Sequence, residues 1–217
     1  IVPALFLMFI SWIDDIRKLS PVTRLLVHFF AVGFGVLSLP GPIFQGMFPI
    51  GIDIFICALL WVWFINLFNF MDGIDGIACV EVAVIGLGVA LVSALSFIGI
   101  MPLILGATLA SAAIGFLLWN WQPARIFLGD SGSVPLAFFI GWILLTIAAK
   151  GQWASAIILP MIFVGDATVT LLRRLWNREQ IWAAHKTHFY QRAANGMGSH
   201  AKVTSIVGFV NLGLIAL

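Results

Sequence analysis

Charge is what this chain has least of. Asp, Glu, Lys and Arg together make up 9% of its 217 residues, against about 25% in soluble domains. It has two cysteines and a single tyrosine. Two cysteines with no metal-ligand spacing, Cys57 and Cys79, exclude a disulfide scaffold and read as buried thiols. A net charge of +2 gives no footing for a polyanionic partner, so a nucleic-acid-binding domain is excluded. What is abundant is apolar: 62% of residues, with a mean hydropathy of +1.11. A soluble globule of this size cannot hide so much apolar surface, and the composition also excludes a disordered tail. The expected solvent is lipid.

A bilayer core about 30 Å thick calls for an apolar helix of about 20 residues. Eight candidate spans run over residues 1–13, 25–39, 52–70, 77–100, 102–119, 134–149, 153–172 and 203–217. The runs are continuous rather than alternating, which excludes a β-barrel. The expected fold is therefore all-α: a polytopic membrane protein with one transmembrane domain over 1–217. The first residue is Ile and the last run stops while still apolar, so the sequence reads as a fragment cut inside helices at both ends.

Eight spans place the connecting segments alternately on two sides. Ten of the eleven Lys and Arg residues fall in 11–24, 120–133 and 173–202 on one side, and only Lys150 on the other. The positive-inside rule makes the first side cytoplasmic. The same parity carries Asp14, Asp15, Asp72, Asp75, Asp130 and Glu179 to that side, with Glu81 just inside it. Four polar loops on one face suit a cytoplasmic active site, whereas a transporter gathers ionisable groups near the midplane. Only Asp166 fits the second description.

Four stretches on that face carry chemistry. Asp14-Asp15 precedes Arg17-Lys18. Adjacent carboxylates repel unless a cation or metal sits between them, although a charged helix end flanked by bases has the same look. Asn66, Asn69 and Asp72 are three apart, so they share one helix face, before Gly73-Ile-Asp75-Gly76 breaks the helix. Their oxygens suit a hard cation or a polar ligand, and Asn inside an apolar helix is costly. A plain Asp/Gly turn is the alternative.

The third stretch runs from Asn120 through Phe127-Leu-Gly-Asp130-Ser-Gly-Ser133. It presents a glycine-flanked carboxylate and two hydroxyls ahead of a helix expected at Val134, which suits a metal-phosphate group or a simple helix cap. Gly-Asp-Ser-Gly also occurs around the nucleophile of trypsin-like proteases, but that chemistry needs a soluble barrel and a partnering His and Asp. The fourth holds Arg173, Arg174, Arg178, His185, Lys186, His188 and Arg192, a basic loop able to grip phosphates. His-x-x-His lacks a third zinc ligand nearby. Tyr190 and the nine Trp residues read as packing or interface anchors.

In order and sidedness, these four motifs resemble the polyprenyl-phosphate N-acetylhexosamine-1-phosphate transferases (glycosyltransferase family 4), over nearly the whole sequence. The resemblance implies transfer of an amino sugar-1-phosphate from a UDP-sugar to undecaprenyl phosphate, with release of UMP. It implies Mg²⁺, or alternatively Mn²⁺, held by Asp130 with Asn69 close by. Asp14, Asp15 and Asp72 would be catalytic, with Asp14 the base acting on the lipid phosphate and Asp15 and Lys18 placing it. Asp75, Asn120 and Phe127 match uracil-holding positions, and Asn66, Ser133, Arg173 and Lys186 join the substrate-binding set. His185, His188 and Arg192 would contact the diphosphate or sugar. The implied partners are the bilayer and, as one option, a second copy of the chain. The implied site is the inner face of the bacterial cytoplasmic membrane.

One departure bears on the donor. His185-Lys-Thr-His188 stands where the peptidoglycan branch carries three adjacent His. The stretch is closer to the O-antigen-initiating branch, so UDP-GlcNAc or a 6-deoxy amino sugar nucleotide is expected rather than a MurNAc-pentapeptide donor. A transporter and a non-catalytic membrane scaffold are the alternatives from other classes.

Overall fold

The computed structural model describes residues 1–180 and 186–217. Among these the structure is all-helical: α1 (Val2–Arg17), α2 (Pro21–Val36), α3 (Ile50–Met71), α4 (Ile77–Leu95), α5 (Ile100–Asn120), α6 (Gly129–Ala149), α7 (Trp153–Ile158), α8 (Met161–Trp176), α9 (Phe189–Met197) and α10 (His200–Ile215). Four of them, α3 to α6, are long and apolar enough to cross a membrane. The expected count of eight spans is not met by length. Helices α1, α2 and α10 have 16 residues each, about 24 Å at 1.5 Å per residue, short of a core about 30 Å thick. The run expected as one helix over 153–172 is two, interrupted at Leu159–Pro160. Proline lacks the N–H that would continue the helix.

Helix ends follow local sequence. Ser20 caps α2 by accepting the Thr23 N–H at 3.1 Å, and Pro21 occupies the first helical position. Helix α6 begins at Gly129, five residues earlier than expected, because Gly129 takes a left-handed φ of 61° that turns the chain into the helix. Asp130 and Ser133 therefore lie within α6 rather than in a loop before it.

Close packing replaces a soluble-type core. Helices α4 and α5 cross at Gly86 and Gly106, where a Cβ on either would come within 2.6 Å of the other's carbonyl oxygen. Small residues at such crossings let helix backbones meet, the main source of cohesion where lipid is the solvent. Trp61 of α3 is fully buried, stacks on Phe138 of α6 at 4.6 Å and donates its indole N–H to the Phe138 carbonyl at 3.0 Å. Gly35 and Gly141 make room for that ring. Cys57 and Cys79 are free and buried, as expected.

The two ends of the bundle differ. One is fastened by Asp53, whose carboxylate accepts the Ile43 and Phe44 amides at 3.0 and 2.9 Å, and by Lys150 donating to the Ile98 carbonyl at 2.6 Å. The other collects the polar motifs.

Candidate active site

Three linked clusters form at the polar end. The first joins α1, α2, α3 and α6. Asp14 and Asp15 lie in the last turn of α1, which closes on Lys18 in a left-handed conformation. Asp14 is 7% exposed and accepts the Leu19 amide at 2.5 Å. Asp15, exposed, accepts the Ser131 amide at 3.4 Å and so ties α1 to the first turn of α6. Arg24, in the first turn of α2, stands between carboxylates: its Nη1 lies 3.5 Å from Asp14 and 3.8 Å from Asp130.

Asn69, near the end of α3, accepts the Ser133 hydroxyl at 2.6 Å and hydrogen-bonds the Asp130 carboxylate through its side chain. Asp72 follows as the C-cap of α3. Burial, then the Asp130 charge, raises the Asp72 carboxyl to about 6. A buried carboxylate under the charge of a second one marks a place where a cation is electrostatically welcome.

This cluster opens on a groove of about 580 Å³. Asp14, Arg24, His28, Asn66, Asn69 and Asp130 supply its polar wall. Apolar side chains from α1, α2, α3, α6 and α8 line the rest. Asn66 spends its amide on the Val62 carbonyl at 2.7 Å. A charged end leading into an apolar slot matches a lipid with an anionic head.

The second cluster locks the α3–α4 turn to the α5–α6 loop. Asp75 accepts the Ala124 amide at 3.2 Å and pairs with His200 Nδ1 at 3.3 Å, while Thr204 donates to its carbonyl at 2.8 Å. Asn120 is buried, accepting from the Gly76 amide at 3.0 Å and donating to the Ile126 carbonyl at 2.7 Å. Gln122 accepts the Ala201 amide at 2.7 Å, which brings in α10.

The third cluster carries His188, buried against Asp166 at 3.1 Å, and Tyr190, whose hydroxyl donates to the Phe70 carbonyl at 3.0 Å. It joins the basic segment to the turn bearing Asp72. Asp166, the residue that suggested transport, is engaged with α9.

The structure thus brings Asp14, Asp15, Asn66, Asn69, Asp130 and Ser133 together around Arg24. It sets Asp75 and Asn120 in a neighbouring network. Lys18, Phe127, Arg173, Lys186 and Arg192 are exposed. His185 lies outside the described residues. Arg24 is an addition that motif reading missed, and Asp166 and Tyr190, expected as a transport candidate and a packing anchor, contact His188 and Phe70. For Arg24 a signal existed: Ser20-Pro21 starts a helix, so a cation falls in its first turn, where the helix dipole disfavours positive charge unless carboxylates face it.

Hard oxygen donors suit a divalent cation such as Mg²⁺. Among the described residues no three His, Cys, Asp or Glu converge into a ready cage. Mg²⁺ needs none, because it is commonly held by one or two carboxylates plus waters and substrate phosphates. The donor set fits.

Residues 1–148 match the family described as Glycosyl transferase family 4. A protein of Bacillus subtilis named as a probable undecaprenyl-phosphate N-acetylglucosaminyl 1-phosphate transferase is 30% identical over 223 residues, covering 96% of this chain and 62% of that relative. A phospho-N-acetylmuramoyl-pentapeptide-transferase of Streptococcus suis is 31% identical over 159 residues, covering 73% of this chain and 46% of the relative. A putative UDP-N-acetylglucosamine–dolichyl-phosphate N-acetylglucosaminephosphotransferase of Sulfolobus acidocaldarius is 30% identical over 171 residues, covering 71% and 48%. The chain therefore spans between 46% and 62% of the length of these relatives.

Proposed function

The chain belongs to glycosyl transferase family 4, and on that premise we propose that it transfers an N-acetylamino sugar-1-phosphate from a UDP-sugar to undecaprenyl phosphate, releasing UMP. The observation that carries this reading is the groove whose polar end holds Asp14, Arg24, Asn69 and Asp130 and whose remainder is apolar. Such a slot accepts a prenyl chain and delivers its phosphate to the carboxylates. The donor we propose is UDP-GlcNAc or a 6-deoxy amino sugar nucleotide, which makes this the first step of O-antigen or another envelope glycan. The support is His185-Lys-Thr-His188 in place of three adjacent His. The basic-residue asymmetry supports an active site on the cytoplasmic face of the inner membrane.

In this reaction an oxygen of the lipid phosphate forms a bond to the phosphorus bearing the sugar, and the bond from that phosphorus to UMP breaks. Arg24 offers a fork of donors to the incoming phosphate and releases Asp14 as it turns. Asp14, freed, takes a proton from the lipid phosphate, with Asp15 and Lys18, at the end of the same helix, helping to place it. Ser133 fixes Asn69, and Asn69 steadies Asp130. A Mg²⁺ or Mn²⁺ held at Asp130, with Asn69 beside it, would neutralise charge on the diphosphate as UMP leaves. We assign Asp75, Asn120 and Phe127 to uracil binding and His185, His188 and Arg192 to contacts with the diphosphate or sugar.

The test is UMP release by the purified protein with undecaprenyl phosphate and Mg²⁺, offered UDP-GlcNAc, UDP-GalNAc, 6-deoxy amino sugar nucleotides and UDP-MurNAc-pentapeptide in turn. Lipid-dependent release with a GlcNAc-type or 6-deoxy donor is expected. Release with the MurNAc-pentapeptide donor alone would overturn the donor assignment, and release with none would overturn the transferase reading.

A further inference from the structure

Asp166 sits in α8, in a stretch otherwise dominated by apolar residues, and the transfer chemistry above gives it no role. Its carboxylate is nevertheless heavily engaged, with four hydrogen-bonding partners among the described residues. One oxygen accepts the Phe189 amide at 3.0 Å and the Thr170 hydroxyl at 3.1 Å, and lies 3.1 Å from His188 Nδ1. The other accepts the Tyr190 amide at 2.9 Å.

Two of these donors belong to the first turn of α9, whose amides have no partner within their own helix. His188, the N-cap of α9, supplies no side-chain cap, so a carboxylate from a different helix takes that place. A carboxylate at Nδ1 also fixes the orientation of the imidazole ring.

The linkage continues beyond α9. The His188 ring stacks on Tyr190 at 5.8 Å, and both are buried. Tyr190 reaches the end of α3 and donates to the Phe70 carbonyl at 3.0 Å. A Cβ at Gly73 would lie 2.2 Å from that hydroxyl, so the phenol is seated directly on the turn that presents Asp72. One carboxylate thus sets both the histidine ring and, through a single tyrosine, the turn carrying a catalytic candidate.

We propose that Asp166 is a positioning residue for the transfer reaction: it orients His188 and, through Tyr190, holds the Phe70–Gly73 turn against the histidine segment. This rests on the transferase reading. Side chains in one hydrogen-bonded network couple, whereas independent sites contribute additively to the free energy. A role in folding alone would therefore leave Asp166 and His188 multiplicative in their effects on rate.

The experiment is a kinetic double-mutant cycle with Asp166→Asn, His188→Ala and the double variant, alongside Tyr190→Phe. Thermal unfolding and hydrogen exchange of the peptide containing residues 70–76 are measured on each. Asp166→Asn should lower kcat roughly tenfold, within the coupling range for networked residues, with the KM for undecaprenyl phosphate unchanged. In the His188→Ala background the same substitution should cost less than about threefold. Tyr190→Phe should keep the unfolding temperature yet lower kcat and speed exchange over 70–76. Fully multiplicative losses, or wild-type kcat in Asp166→Asn, would overturn the proposal. If Asp166→Asn does not fold, Tyr190→Phe decides alone, and unchanged kcat and exchange overturn it. Should the wild-type protein release no UMP, the transferase reading fails by itself. Exchange over 70–76 in Asp166→Asn and Tyr190→Phe then still decides whether Asp166 holds that turn, unchanged exchange refuting it.

Discussion

Ser133 donates its hydroxyl to the Asn69 side-chain oxygen at 2.6 Å, binding the first turns of α6 to the last turns of α3. These two residues lie 64 positions apart in sequence. Their contact leaves the Asn69 side chain to steady Asp130, so metal affinity should depend on a hydroxyl that touches no metal.

Ser133→Ala removes that donor from a fully buried position. A net hydrogen bond is worth about 0.5–1.5 kcal/mol, so the Mg²⁺ concentration for half-maximal activity should rise about two- to tenfold, with kcat at saturating Mg²⁺ little changed. A titration of activity against Mg²⁺ measures it, and an unchanged midpoint would detach Ser133 from the metal site.

Arg24→Ala leaves Asp14 and Asp130 without their shared cation and the lipid phosphate without a fork. The KM for undecaprenyl phosphate should rise by roughly tenfold, the range of a lost charge-assisted contact, while that for the UDP-sugar moves little. Arg24→Lys should recover part of the loss, since a point charge replaces the charge but not the geometry. Lys18→Ala should shift the same constant in the same direction. Equal effects on both substrates would remove these residues from the lipid side.

Asp72 predicts a pH dependence of definite sign. Its carboxyl is raised to about 6 by burial and then by Asp130. A folded-state value above the unfolded one stabilises the protein while the group is protonated, and that contribution is lost as pH rises from about 4 through about 6. In chelator, wild type should lose more unfolding temperature between pH 5 and pH 7 than Asp72→Asn does. Parallel profiles for the two proteins would place the buried charge elsewhere.

Gly106→Val tests the packing on which the site stands. A Cβ there already meets the Gly86 carbonyl oxygen at 2.6 Å, so the branched side chain must push α4 from α5. Overpacking of this kind costs about 1–3 kcal/mol, to be read as a lower unfolding temperature in detergent. A neutral result would mean the helices do not cross at these glycines.

Much of the candidate site is legible in the sequence. Carboxylates and Asn residues are expensive next to lipid, so Asp14, Asn69 and Asp130 stand out in apolar surroundings, and loop parity sends them to one end. Span count was less legible, because mean hydropathy cannot separate a 22-residue helix such as α3 from a 16-residue one such as α2. Pro160 lies inside the run over 153–172, and there the helix divides into α7 and α8, which apolar content alone does not register. The roles of Asp166 and Tyr190 are not legible in the sequence for another reason. Their meaning lies in contacts across the chain, such as Tyr190 with Phe70, 120 positions away, and no local pattern encodes such a pairing.

The most direct measurement is UMP release by wild type and Asp130→Ala, each with and without undecaprenyl phosphate and with and without Mg²⁺. Wild type should release UMP only when lipid and metal are both present, and Asp130→Ala, folded to the same unfolding temperature, should release none above background. Retention of more than a few per cent of wild-type turnover by Asp130→Ala would contradict the site described here.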